Sequence, residues 1–415
     1  MSGWKTRAGL FLTLAAAALA ASWTDRREYD LVLKIRAEAS PRKRVALLDE
    51  WKEKYPKTEL RQVRNELYLA AYESMGNTSE ALRVAREVLA DHPDNLVGLY
   101  WCTLLAPETR EPPPELFTAA DQAARRLLAG LDGYFSAENK PASMADDRWQ
   151  KQKHEVELLA HRALAWIQWQ RGDYAAAEDE LTRCLRQDPK DAEISAWFGI
   201  VLTLEKQPEK QSAAFWHMAR AASVRDEGAL PDTQQREMNA TLERLYAAYH
   251  GDGEGLDQLR ALAAEGVFPP AGFKIESKAE IDARRAEEEL RRTNPELAAW
   301  LQIRKRLEAP DGEAYFAASL HNTALPRLKG SLIRFSPDKK PDELVLGMSD
   351  PAAEEVILKL SAPMPNVAET GTQLSFEGTA DSFSRSPFSL TVTIDPEKIG
   401  GWPAPPPAAK RKKGR

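Results

Sequence analysis

Cysteine and histidine are scarce in this 415-residue chain, with two and six respectively. Cys102 and Cys184 form no Cys-x-x-Cys motif and no metal-ligand pattern, so a disulfide framework and a zinc module are both excluded by count. The histidines are no better grouped. His154-Glu155 is followed by His161, a spacing of seven. A zinc-protease helix needs two histidines four apart around a glutamate. His92, His217, His250 and His321 have no ligand-type neighbours at usable spacing. No Gly-x-Ser-x-Gly elbow, phosphate-binding loop or Gly-x-Gly-x-x-Gly turn occurs. Gly251-Asp252-Gly253-Glu254-Gly255 has the composition of a calcium loop without its remaining oxygen ligands or closing glutamate. These absences predict a chain that is not an enzyme and holds no cofactor or metal. The net charge of −6 excludes a global basic field for nucleic acid.

Long hydrophobic runs are also missing, apart from one at the start. Lys5 and Arg7 precede an apolar stretch over 10–21, and Ala18-Leu19-Ala20 supplies small residues at cleavage spacing. That is the pattern of an export signal. The stretch is shorter than the ~20 residues a spanning helix needs, so cleavage near Ala21 is expected, with an uncleaved anchor as the alternative. No cysteine follows the apolar stretch, which excludes lipoprotein processing. The expected location is outside the cytoplasm, in a periplasm, with no membrane span after cleavage.

Amphipathic helical stretches punctuated by turns dominate the first 250 residues. Gly172-Asp173-Tyr174 separates two of them, and Pro189 closes the second. Leu164 and Ala165 precede the turn, and Ala177, Leu181, Cys184 and Leu185 follow it. A second copy holds the same relative positions: Leu69, Tyr72, Gly76-Asn77, Ala81, Val88-Leu89 and Pro93. A half-copy ends at Tyr55-Pro56. A further copy runs from Phe198-Gly199 to Ala214, Met218 and Ala221, with extra residues near Pro208 lengthening its turn.

This arrangement resembles the tetratricopeptide (TPR) repeat, a helix–turn–helix of about 34 residues. The resemblance covers roughly 26–224. His161 and Gln168 stand where Trp and Tyr are usual, so the match is degenerate; a helical bundle without repeats is the alternative. The resemblance implies a solenoid whose concave face binds a protein or peptide partner. Asn65, Tyr68, Tyr72, His161, Leu164 and Gln168 are the candidate groove residues, although some of them must pack between helices.

Near residue 325 the period changes. Phe388, Leu390, Val392 and Ile394 alternate with polar residues, as do Leu374 and Phe376, and Val356, Leu358 and Leu360 alternate with Ile357, Lys359 and Ser361. Period two predicts half-buried strands, here over 328–335, 343–348, 356–360, 372–378 and 388–394. The layout looks like a five-stranded OB-type barrel. The expected fold class is therefore α+β and multidomain: a signal over 1–20, a TPR-like α-solenoid over 21–250, a helical linker region over 251–325, an OB-like β-barrel over 326–402, and a Pro-rich basic tail over 403–415. The OB-like domain raises nucleic-acid binding as the rival function, with Phe335, Phe376, Phe383 and Phe388 as possible stacking platforms. Residues 326–402 carry eight Lys or Arg against eleven Asp or Glu, which disfavours that reading, and the alternation places Phe376 and Phe388 in the core.

Overall fold

The structure, a computed structural model, describes residues 25–109, 114–225 and 227–404. The expected signal, and the basic part of the expected tail, lie outside the described residues. The chain divides into two compact units at Ser277/Lys278.

The first unit is helical: α1 (Arg26–Ala37), α2 (Pro41–Lys54), α3 (Arg61–Ser74), α4 (Thr78–Asp91), α5 (Leu96–Leu105), α6 (Pro114–Tyr134), α7 (Asp146–Arg171), α8 (Tyr174–Gln187), α9 (Ala192–Glu205), α10 (Gln211–Ser223), α11 (Asp232–His250) and α12 (Leu256–Glu265). Consecutive helices from α1 to α10 pack as a chain of neighbours, and α7 also reaches back to α5. Reversal of direction has a local cause. Gly76 and Gly172 sit at φ +65° and +78°, where a side chain would be strained. Each is followed by a helix-capping residue. Asn77 accepts from the Glu80 amide, and Asp173 accepts from the Ala176 amide. The Asn77 amide closes back on the Tyr72 carbonyl at 2.8 Å, and the Asp173 amide on that of Gln168 at 2.9 Å. These are corresponding bonds of one helix-ending motif, at the positions the sequence alignment pairs. The next turns correspond as well: Asn95 and Asp191, two residues beyond Pro93 and Pro189, cap α5 and α9.

Close approach between paired helices needs small residues. Ala81 and Ala177 are both fully buried. At Gly199 a side-chain carbon would come within 2.6 Å of Met218 and 3.0 Å of the Ala214 carbonyl oxygen, so only glycine lets α9 and α10 come this close. The α9–α10 turn takes a different form. Lys206, not glycine, adopts positive φ there, and a short 3-10 turn over Pro208–Lys210 follows. Helix α5 is buried on every side through its middle, which is why its apolar pattern is nearly continuous, whereas α9 leaves Trp197 and Ile200 half-buried.

The second unit opens with α13 (Lys278–Thr293), α14 (Pro295–Glu308) and α15 (Gly312–Tyr315), followed by a π-helical turn at Phe316–Leu320. Helix α13 buries only Ile281, as its charge density predicts. Asn294 caps α14 by accepting from the Leu297 amide at 3.2 Å, with Pro295 at the first helical position. Seven strands follow: β1 (Leu328–Ser336), β2 (Glu343–Gly347), β3 (Val356–Leu360), β4 (Gln373–Phe376), β5 (Thr379–Arg385), β6 (Phe388–Ile394) and β7 (Ile399–Gly400). They form one mixed sheet in the order β5-β6-β3-β2-β1-β4-β7. The β3–β6 pair is parallel and the others are antiparallel. The core combines Leu332, Leu344, Leu358, Phe376 and Val392 with Trp300 and Leu307 of α14.

The expected five-stranded barrel is corrected here. The five expected strands appear as β1, β2, β3, β4 and β6, but β5 and β7 join them, and the two ends of the strand order do not pair with each other. Strand β5, Thr-Ala-Asp-Ser-Phe-Ser-Arg, escaped the periodicity because its outer side has no neighbouring strand for most of its length and its residues are mostly polar. Strand β7 is two residues long and has no period to read.

Replacing Ala177 with tryptophan should overpack the α7–α8 crossing and cost roughly 1–3 kcal/mol. Thermal denaturation of A177W measures this; an unchanged midpoint would show that Ala177 does not lie at a close crossing.

Candidate functional site

The six groove residues fall into two trios, one on α3 and one on α7. Helix α3 packs against α2 and α4, and α7 against α5, α6 and α8. On α3, Asn65, Tyr68 and Tyr72 are all buried. Tyr68 and Tyr72 stack with ring centroids 5.9 Å apart. The Tyr68 hydroxyl donates to Asp49 Oδ1 at 2.7 Å, fastening α3 to α2. Burial pushes the Tyr68 phenol pKa up, and the bond to Asp49 adds to this. On α7, Leu164 is 2% exposed. His161 Nδ1 meets Glu180 Oε2 of α8 at 2.6 Å, and Gln168 donates to Asp121 Oδ1 of α6 at 3.4 Å. Asp121 also takes Arg125 at 3.0 Å. Tyr68, His161 and Gln168 therefore each bond to a neighbouring helix.

A second row on α7 runs from the buried Arg162 and Trp166 to the half-buried Trp169. Arg162, Trp166 and Trp169 lie three and four residues apart, on one helical face. Arg162 and Trp169 follow positions 161 and 168 by one residue, a rotation of about 100°, and Trp166 follows position 164 by two. Arg162 lies 4.9 Å from the Trp197 ring of α9, and Trp169 packs 5.9 Å from that ring. Trp166 stacks on Phe117 of α6 at 5.3 Å. Trp169, Trp197 and Ile200 are half-buried, and Leu204 is 39% exposed. The sequence carried a signal for this row, two tryptophans three apart after an arginine, but the alignment weighted the repeat positions instead.

Arg162 holds this region electrostatically. It pairs with Asp191 Oδ2 at 2.6 Å and also with Glu193. Burial opposes its charge, and the two carboxylates outweigh burial, so its pKa is raised. The same Asp191 caps α9 through Oδ1, so one carboxylate serves both the helix end and the cation.

The remaining chemistry-bearing groups lie apart from this row. Cys102 and Cys184 are free and buried. Burial pushes the Cys102 thiol up to about 12 and raises that of Cys184, so neither is a ready thiolate. Among the described residues no three His, Cys, Asp or Glu side chains come together as a metal site, and no helix is long and apolar enough to cross a membrane. In the second unit, Phe376 is 1% exposed, and Phe335, Phe383 and Phe388 are packed against the core. Phe383 meets Phe316 at 5.0 Å, and Phe388 meets Trp300 at 6.0 Å.

No family model matches the chain, and no curated protein is similar to it in sequence. Solved structures offer remote likenesses. One is a tetratricopeptide repeat protein from Parabacteroides merdae ATCC 43184, at 14% identity over 61% of this chain and 92% of that one, with a TM-score of 0.29. Another is the TPR domain of P58(IPK), at 17% identity over 70% and 74%, with a TM-score of 0.25. Superpositions this loose carry no weight; the repeat reading rests on the corresponding bonds at Gly76 and Gly172.

Removing the Arg162 guanidinium leaves Asp191 and Glu193 without the cation they share. Arg162→Met should destabilise the first unit by about 3 kcal/mol, measured by urea denaturation. A loss below about 1 kcal/mol would mean that solvent already screens the pair.

Proposed function

We propose that the chain is an exported, non-enzymatic scaffold that binds a protein or peptide partner through its helical repeats. The observation that carries this is the row Trp169, Trp197, Ile200 and Leu204, half-buried or exposed beside Arg162. Partly exposed tryptophans next to an arginine are the side chains that dominate binding energy at protein interfaces. Of the six residues chosen from the repeat positions, Tyr68, His161 and Gln168 bond to neighbouring helices, which favours this row over them. Export rests on Lys5, Arg7, the apolar stretch over 10–21 and Ala18-Leu19-Ala20.

The C-terminal sheet is proposed to curl in the manner of an OB-like barrel. Strands β4 and β5 are separated only by Glu377 and Gly378, yet β4 bonds to β1 and β5 to β6. The chain before β1 bonds to the same stretch: the Asn322 amide to the Ala380 carbonyl at 2.9 Å, the Ala380 amide to that of Thr323 at 3.1 Å, and the Leu325 amide to that of Gly378 at 2.8 Å. Supporting closeness here, a side-chain carbon on Gly378 would lie 2.4 Å from Val392. The rival nucleic-acid function finds little to favour it, because the domain is acidic and its phenylalanines are engaged in the core.

The test is expression of the whole chain in a Gram-negative host. The mature protein recovered from the periplasm should begin near Ala21 by intact mass, and cross-linking should join it to a partner that Trp197→Ala loses while still folded. A product that starts at Met1 in the cytoplasm would sink the export reading. A partner retained by W197A and by Trp169→Ala would sink the proposed face.

The nucleic-acid rival is tested separately. A chain ending at Trp402 should give no shift of a single-stranded oligonucleotide in fluorescence anisotropy, and the longer chain at most a salt-sensitive one from its Lys/Arg-rich end. Salt-resistant, saturable binding by the shorter chain, abolished by Phe335→Ala or Phe383→Ala, would promote the rival.

A further inference from the structure

Helix α10 carries Trp216, His217 and Arg220 on one buried stripe. The spacings of three and four put Arg220 between the other two on the helix surface. Over this stripe lie the end of α12 and the segment 266–273. A side-chain carbon at Gly266 would come 2.8 Å from the Trp216 ring, so glycine permits the segment to lie flat there. Phe273 meets the Trp216 ring edge-on at 5.0 Å. Phe268 meets the His217 ring edge-on at 5.8 Å, and Phe198 of α9 stacks on its face at 4.2 Å. Arg220 donates to the carbonyls of Ala263 at 3.3 Å and Gly266 at 3.2 Å, and to that of Pro189. The latching contacts are thus one guanidinium on three carbonyls and an imidazole between two phenyl rings.

Among the described residues no carboxylate balances these groups. On α9, Glu193 is committed to Arg162 and Glu205 to Lys210. On α12, Arg260 is engaged with Asp257 and with Glu243 of α11, and Glu265 is exposed. On α11, Tyr246 packs against Phe215, and His250 Nδ1 meets the Glu276 carbonyl. On α8, the Cys184 thiol is buried and kept protonated. His217 is 1% exposed, its Nδ1 has no partner among the described residues, and its charged neighbour is the cation Arg220.

We propose that this joint is a pH-operated latch, in which proton uptake by His217 beside Arg220 sets two cations in one apolar interface and releases the segment 266–273 from α10. Burial, with Arg220 adding to it, pushes the His217 imidazole down to about 3 in the closed arrangement. Once released and solvated it returns to about 6.5. The closed form is therefore fully favoured above pH 6.5, and its advantage is lost progressively as pH falls from 6.5 toward 3. Between pH 7 and pH 5 the opening constant should rise roughly 25-fold.

Hydrogen exchange of the whole chain at pH 7.0 and pH 5.0, corrected for intrinsic rates, tests this. Amides over 262–273 should open roughly 25-fold more often at pH 5.0, with no comparable change in α3 and α4, and His217→Phe should remove the difference. Equal behaviour at the two pH values in the parent chain, or the same rise in H217F, would overturn the latch. Should H217F fail to fold, the ring protons of His217 in the parent decide by NMR. Titration that tracks loss of protection over 262–273 upholds the proposal, and titration near 6.5 with the segment still protected overturns it.

Discussion

The left-handed glycine followed by a capping side chain is the constraint on which the helical unit depends. A helix of fourteen residues cannot bury its apolar face alone; it must be turned back on its neighbour within two or three residues. Gly76-Asn77 and Gly172-Asp173 achieve this by placing a residue without Cβ at positive φ and an oxygen acceptor at the next position. Once the direction is reversed, Ala81 and Ala177 set how closely the pair approaches. The α9–α10 turn shows the same requirement met differently. Lys206 takes the strained conformation itself, and a longer turn absorbs the geometry.

Buried arginines hold the turns to one another. Arg64 reaches the Tyr55 carbonyl at 3.0 Å, Arg162 reaches the acidic start of α9, and Arg220 gathers three carbonyls at the ends of α8 and α12. The planar guanidinium suits this work because it presents several donors in fixed directions and stays charged when partly desolvated. The three cations are balanced very differently. Arg162 has two carboxylates, whereas burial lowers the pKa of both Arg64 and Arg220. Arg220 is held by carbonyl dipoles, and the neighbour that would add a second cation is His217.

The second unit solves the same problem with a carboxylate. Glu355 is 2% exposed and accepts from the Met348 amide at 2.7 Å and the Ser349 amide at 2.6 Å, while Arg304 of α14 pairs with it. Burial pushes its pKa up, but these hydrogen bonds outweigh burial and leave it lowered. A single ionised side chain thereby orders the β2–β3 turn and ties α14 to the sheet. Arg304 also lies 5.1 Å from the Phe388 ring, which helps to explain why that phenylalanine is unavailable as an open stacking surface.

Sequence alone determined the features that depend on neighbours along the chain. The Gly-Asn and Gly-Asp reversals, the Asn294 cap, the charged face of α13 and five of the strands follow from local φ preference, capping and periodicity. Tertiary structure decided what depends on partners far away in sequence. The alternation in β4 and β6 placed their side chains, but only pairing showed β5 between β6 and the chain before β1. Helical phase was the finest of these decisions. Positions 161 and 168 differ from 162 and 169 by one residue, and nothing local tells which of them meets Glu180 and Asp121 and which meets Trp197. A helix carries its pattern in its own sequence, but the side it leaves open is set by the helices that close around it.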